Sequence, residues 1–206
     1  LPDLRDLVER VRKIADGAAL MTGTQVTSQV FSGVSNLLGN RPLEETMQRE
    51  LEKLGPVAFD NADEAFAREI QTTLTAADIA TTFKRIGTKP VKGLALCDFV
   101  APLDRLSEGG EGSTDVGDVS WAVPTVQARV ATCAIGTPFH AWQTVAQGKA
   151  PAAHKGMIYA AKAMAATACR LIEDQLLVAA AHETHKEHLE ETPYICPIPD
   201  DVRPPV

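Results

Sequence analysis

The sequence lacks any cluster of positive charge. Its 206 residues include 20 Lys+Arg against 27 Asp+Glu, for a formal net charge of −7 at pH 7, and no run of lysine or arginine stands out. Proteins that bind nucleic acid concentrate basic side chains where the phosphates lie. The charge pattern therefore argues against nucleic acid as a partner.

Long apolar runs are also missing. No stretch of about 18 consecutive apolar residues occurs, so we expect no membrane as a partner. The first residues, LPDLRDLVER, show no initiator Met, basic region or apolar core of a secretion signal. We therefore expect no signal peptide and a cytoplasmic location.

Cysteine is scarce and widely spaced. The four cysteines are Cys97, Cys133, Cys169 and Cys196, and the closest pair, Cys169 and Cys196, is 27 residues apart. Without a C-x-x-C pair, a zinc ribbon or a thioredoxin-like redox motif is excluded. We expect free thiols in a reducing cytoplasm.

An apolar fraction of 45% is enough to form a core, and helical periodicity is the commonest pattern. Helices are predicted over residues 3–20, from Pro42 to Gly55, from Asn61, where Glu64 has capping-box spacing, from Thr75 to near Gly87, and over 150–181. Residues 24–31, 91–100 and 126–135 have strand-like composition. A helix and one strand bury little surface by themselves. The first two elements either join the following domain or lack their partners.

The stretch 112–142 carries the most suggestive chemistry. Its strand-like run ends at Gly136 and Pro138, which places His140 just beyond a strand end, where α/β folds often hold functional groups. Asp115 and Asp118 are three residues apart and would share one face of a helical turn. An imidazole and two carboxylates suit a divalent metal or a polar substrate. The competing interpretation is that His140 is an ordinary loop residue.

A second group of histidines lies near the end of the long helix. His182, His185 and His188 recur every three residues, a spacing that would align them for a metal. They alternate with lysine and glutamate as in an ordinary exposed helix end, which is the interpretation we favour. The proline-rich residues 193–206 predict an extended tail.

Several motifs occur in order along almost the whole chain and resemble the M20 family of metal-dependent amidohydrolases and peptidases. They are VRKIADGAALMTGT (11–24), NRPLEETM (40–47), AFAREIQTTL (65–74), STDVGDVSW (113–121), AIGTPFHAWQ (134–143), HKGMIYAAKAMAAT (154–167) and PYICPIP (193–199). The combination of STDVGDVSW with GTP-x-H is the most specific of them.

The resemblance implies an α/β fold. Residues 34–188 would be the C-terminal part of a three-layer α/β/α catalytic domain. Residues 1–33 would be the last helix and strand of a ferredoxin-like lid and dimerisation domain, and 189–206 would be a tail. Family members are much longer, and the N-terminal portion that carries most of their metal ligands and the general base has no counterpart here.

The resemblance also implies a function. Two zinc or manganese ions would activate a water that cleaves an N-acyl amino acid such as p-aminobenzoyl-glutamate. Of the family's ligands only His140 transfers, whereas Asp115 and Asp118 would line the substrate cleft. The chain alone is then expected to be inactive. The alternative is a non-catalytic fragment or subunit that acts in a homo- or hetero-oligomer, or with a complementing N-terminal fragment.

Overall fold

A computed structural model describes residues 2–103, 114–199 and 202, and these residues form eight helices. They are α1 (Pro2–Thr22), α2 (Arg41–Leu54), α3 (Asn61–Gln71), α4 (Ala76–Ile86), α5 (Val116–Ala122), α6 (Trp142–Gln147), α7 (Pro151–Glu173) and α8 (Gln175–Glu191). No β-strand occurs in the part of the chain that is described.

The predicted α/β fold is therefore wrong for this structure. Residues 24–31 and 126–132 are extended but pair with no neighbouring strand, and turns and bends interrupt 91–100. Between the second and third of these predicted strands the structure gives a hydrogen bond from the Ile135 N–H to the Ala95 carbonyl, at 2.8 Å. A strand is defined by a ladder of such bonds with a neighbour. Strand-like composition without a neighbouring strand leaves an extended segment.

The chain divides into two compact units. The first contains Leu1–Leu38, Gly112–Val123 and Lys186–Val206, and the second contains Gly39–Glu111 and Pro124–His185. The predicted division at residues 33 and 188 stays a prediction. The structure adds that the segment around α5 belongs with the first unit.

The first unit combines α1 and the short helix α5 with extended segments. The Arg5 guanidinium donates to the Cys196 carbonyl at 2.8 Å, which ties α1 to the tail. Many apolar side chains of α1 stay exposed, among them Val11 at 62% and Ile14 at 71%. The apolar face predicted for this helix is real, but little of the described chain covers it.

The second unit has the core. Its buried cluster consists of Ala67, Ile70, Ala95, Leu96, Ala134 and Ala152, with Phe59 and Phe66 packed against it. Helix α2 packs on α7, and the Tyr159 hydroxyl of α7 donates to the Gly55 carbonyl beyond the end of α2 at 2.5 Å. On the same helix pair, Arg170 approaches Glu50 at 3.6 Å.

Local capping signals placed the helix ends well. Asn40 caps α2 through its side chain, and Gly55 follows the last residue of that helix. Thr75 and Asp78 form a capping box on α4, which ends at Gly87 with φ 74°. The predicted box on α3 is displaced by one residue, because Asp60 and Asp63 form it.

The long helix predicted over 150–181 is two helices. They are interrupted at Asp174, which has φ −126° and ψ 95°. The Asp174 carboxylate accepts a hydrogen bond from the Leu176 N–H at 3.0 Å. Aspartate commonly caps a helix in this way, so it ends one helix and begins the next despite the high helix propensity of the flanking alanines.

Among the described residues, no helix has both the length and the apolar character needed to cross a membrane.

Two glycines predict opposite effects of the same substitution. A methyl group on Gly156 of α7 would overlap the Ala131 carbonyl oxygen, whereas one on Gly17 of α1 meets nothing within 4 Å. Gly156→Ala should therefore lower the free energy of unfolding by about 1–3 kcal/mol. Gly17→Ala should raise helix stability by roughly 0.5–1 kcal/mol.

Urea unfolding followed by circular dichroism measures both changes in the 206-residue chain. A neutral or stabilising effect of Gly156→Ala would contradict the close approach of α7 to residue 131.

Candidate functional site

The Gly-Thr-Pro elbow lies in the second unit and turns sharply. Gly136 has φ 99°, and a side chain there would meet Leu74 and Ile79. Four residues later, His140 has φ 66°, a left-handed conformation that few non-glycine residues adopt. The imidazole is exposed. The loop therefore presents His140 outward on a strained backbone.

Buried side-chain amides hold the base of this loop. The Gln147 Oε1 accepts a hydrogen bond from the Ala134 N–H at 2.7 Å, and its Nε2 donates to the Thr137 hydroxyl at 3.0 Å. The Gln71 Nε2 donates to the Ile135 carbonyl at 3.0 Å. These bonds satisfy main-chain groups that an adjacent strand would otherwise satisfy.

A cavity of about 620 Å³ lies beside the same segment. Its walls come from α2, residues 97–103, residues 126–137 and the ends of α4 and α7, and most of them are apolar. Two thiols take part in the lining, and burial raises the pKa of both Cys97 and Cys133. Neutral thiols of this kind are poor nucleophiles, so the cavity suits an apolar occupant better than thiol chemistry.

In the first unit, the DVGD motif forms α5 and grips the segment 35–38. The Asp118 carboxylate accepts from the Ser35 hydroxyl at 2.6 Å and from the Ser35 N–H at 3.1 Å. It also accepts from the Tyr194 hydroxyl at 2.8 Å. Partial burial raises the pKa of Asp118, but the hydrogen bonds from Ser35 and Tyr194 outweigh burial and leave that pKa below its usual value. The hydrogen bond to Asp118, and then burial, raise the pKa of Tyr194.

The rest of the motif makes the same contact closer. The Leu38 N–H donates to the hydroxyl of Ser120 at 2.8 Å, and Ser120 is fully buried. The Trp121 Nε1 donates to the Asn36 carbonyl at 2.9 Å. The Trp121 ring stacks on the Tyr194 ring, with centroids 6.1 Å apart. A methyl group on Gly117 would overlap the Ser35 carbonyl oxygen, so only glycine allows this approach.

The structure therefore places the three predicted site residues as follows. Asp115 and Asp118 lie at the start of α5 in the first unit, Asp115 exposed and Asp118 half-buried. His140 belongs to the second unit. Asp118 has an evident structural role, and its predicted contact with substrate stays a prediction, as does that of Asp115.

The described residues do not by themselves fit the two-metal centre that the resemblance implies. Nowhere in the described ranges do three His, Cys, Asp or Glu side chains come together so that they could hold a metal ion. A catalytic zinc takes about three protein ligands and a water. His140 supplies one imidazole, so further ligands would have to come from outside the described residues.

The histidines of α8 also do not assemble. His182 and His188 are exposed, whereas His185 is buried. Their three-residue spacing places them on one helix, but that helix gives them different environments.

Four residues that hold these sites were missed from the sequence: Ser35, Gln71, Gln147 and Tyr194. Each acts on a segment far away in sequence, except Gln147, which acts on a segment 10 to 13 residues before it. The PYICP motif around Tyr194 and the position of Gln147 shortly after GTP-x-H were visible signals, but neither states a partner.

Comparison with known proteins supports the resemblance. The chain is 40% identical, over 99% of its length, to one of the named subunits of the p-aminobenzoyl-glutamate hydrolase of Escherichia coli (strain K12). The match spans 44% of that relative. The chain resembles a C-terminal portion of this hydrolase subunit.

No family model matches the chain, and no solved structure matches it.

The Asp118 contacts predict a pH-dependent loss of stability. Because the pKa of Asp118 in the folded chain lies below the unfolded value of about 3.9, its stabilisation is present at neutral pH and is lost as the pH falls through the folded-state pKa. Asp118→Asn should therefore lower the free energy of unfolding by about 1 kcal/mol at pH 7. The difference should shrink toward zero near pH 3.

Urea unfolding at several pH values between 7 and 3 measures this difference. Asp115→Asn on the same helical turn is the control, with an expected change within about 0.5 kcal/mol throughout. An equal loss at every pH for Asp118→Asn would show that the carboxylate charge is not the source of the stabilisation.

Proposed function

We propose that the chain is part of a metal-dependent amidohydrolase that cleaves an N-acyl amino acid such as p-aminobenzoyl-glutamate. The observation that supports this most is the 40% identity along 99% of the chain to a protein named as a p-aminobenzoyl-glutamate hydrolase subunit. Since the chain spans 44% of that protein, the activity is proposed for a longer protein that contains it.

In this proposal His140 is a metal ligand. Its imidazole is exposed on the loop after Pro138, so it can meet groups that lie outside the described residues. Its left-handed backbone is a second supporting observation, because strained conformations persist where the surrounding structure enforces them and cluster at functional sites.

Asp115 and Asp118 are proposed to bind substrate. Asp115 at the start of α5 is the better placed of the two, because its carboxylate is exposed. The three hydrogen bonds that Asp118 accepts leave it less capacity for another donor. Its contribution would then be to hold α5, and Asp115 with it, in place.

We predict that His140→Ala in the longer hydrolase lowers metal content and amide cleavage together, with activity falling by about 100-fold or more. Metal analysis of the purified protein and an assay of p-aminobenzoyl-glutamate hydrolysis measure the two quantities. His182→Ala and His188→Ala are the matched controls, because both side chains are exposed histidines, and both variants should keep metal and activity. A His140→Ala variant that keeps both would remove His140 from the metal site.

A second candidate function is that of a non-catalytic part that works only with a complementing chain. Exposed apolar surface favours it: α1 leaves most of its apolar side chains uncovered, and Phe139, Trp142 and Val145 are more than half exposed. Extended residues 126–132 also have no neighbouring strand. Such surfaces and edges favour pairing with another chain, and the relative is itself named as a subunit.

We predict that the 206-residue chain alone does not hydrolyse p-aminobenzoyl-glutamate in the presence of zinc or manganese, and that it self-associates at micromolar concentration. The physical reasons are its single candidate ligand and its uncovered apolar surface. A hydrolysis assay and sedimentation velocity measure these two properties.

Metal-dependent turnover by the isolated chain would refute the second candidate. A compact monomer of 22.0 kDa would show that the exposed apolar surface does not drive association.

A further inference from the structure

The loop that carries His140 leaves and returns to the same buried point. Its first arm contains Ala134 and Thr137, and its second arm is α6. Ala134 and Thr137 are 2% and 8% exposed, and Gln147 at the end of α6 is 3% exposed. The residues between the arms, from Pro138 to Ala141, are largely exposed.

One side chain bonds both arms. The Gln147 carbonyl oxygen accepts from the Ala134 N–H at 2.7 Å. Its Nε2 donates to the Thr137 hydroxyl on the first arm and to the Gln143 carbonyl on the second, each at 3.0 Å. All three hydrogen-bonding positions of the amide that are used here join the two sides of the loop.

The other contacts of the loop are weaker substitutes for this one. The Thr144 hydroxyl donates to the Pro138 carbonyl at 2.7 Å, but this bond is exposed. The Gln143 side chain reaches the Thr73 hydroxyl at 3.4 Å, also exposed. An exposed hydrogen bond exchanges readily with water, whereas the loss of a buried one leaves unsatisfied polar groups. The buried amide of Gln147 is therefore the main restraint on the loop's geometry.

We propose that Gln147 is a positioning residue that fixes His140 in its strained, outward-facing conformation. This rests on the proposed role of His140 in amide hydrolysis. Gln147 does not itself reach substrate, since it is buried beneath the loop. It acts by closing the two arms, which leaves the residues between them few backbone conformations.

The chemistry of the amide makes the inference specific. A glutamate has the same shape and can still accept from Ala134, but an ionised carboxylate cannot donate to Thr137 or to the Gln143 carbonyl. A leucine loses all three bonds while it fills similar space. Gln147→Glu and Gln147→Leu therefore remove different parts of the restraint.

The first test is amide hydrogen exchange in the 206-residue chain. In Gln147→Leu the amides of Ala134 and Thr137 should exchange roughly tenfold faster or more, and those of α2 and α7 should change much less. Gln147→Glu should have a smaller effect at Ala134 than at Thr137. Thr167→Val is the control, because Thr167 is a buried residue of α7 that bonds only within its own helix, to the Ala163 carbonyl at 2.8 Å. Its effect should appear along α7 and leave the loop unchanged.

The second test uses the longer hydrolase and separates positioning from stability. Gln147→Leu should lower kcat by about 100-fold with little change in KM, whereas Thr167→Val should leave kcat unchanged at a temperature where both variants are folded. Gln147→Glu should fall between Gln147→Leu and the unaltered protein.

Unchanged exchange at Ala134 and Thr137 in Gln147→Leu would overturn the inference. Retained kcat in Gln147→Leu would also overturn it if His140→Ala is inactive, because the position of His140 would then not depend on Gln147. If His140→Ala keeps its activity as well, the proposed function of His140 has failed instead, and the exchange result alone then decides whether Gln147 holds the loop.

Discussion

Side-chain amides take the place of a missing strand in this structure. Residues 131–137 are extended, partly buried and next to no strand, so their main-chain groups need other hydrogen-bond partners. Gln147 serves the Ala134 N–H, and Gln71 serves the Ile135 carbonyl. The close packing of α7 on residue 131 and the turn at Gly136 depend on this segment staying in place. Once these bonds are formed, the direction of the His140 loop follows.

The same device appears in the first unit with different chemistry. There a carboxylate, a hydroxyl and an indole on one short helix bond the segment 35–38, again through main-chain groups. A seven-residue helix has little stability of its own. Its contacts with residues 35–38 and with Tyr194 are therefore the reason that α5 exists, rather than a result of it.

Helix positions could be predicted from the sequence because their signals are local. Asn40, Thr75 and Gly87 act on residues within one turn of themselves, and each has the expected capping role. The strands could not be predicted in the same way. Alternation at Val126, Ala128 and Val130 correctly indicates alternating burial, but a sheet also requires a neighbouring segment, and alternation contains no information about that neighbour. His140 could be located from its motif, whereas the role of Gln147 depends on a loop closing in space.

The contact at Gly117 has a consequence for how relatives of this chain vary. The atom that excludes a side chain at position 117 is a main-chain oxygen, which every residue at position 35 possesses. No replacement of Ser35 relieves the overlap, so a change at 117 has no compensating change at 35. Chains that share this arrangement should keep glycine at 117 while position 35 varies, and the two positions should show no covariation although they touch. Methods that infer contacts from correlated substitutions would miss one of the tightest approaches in the first unit.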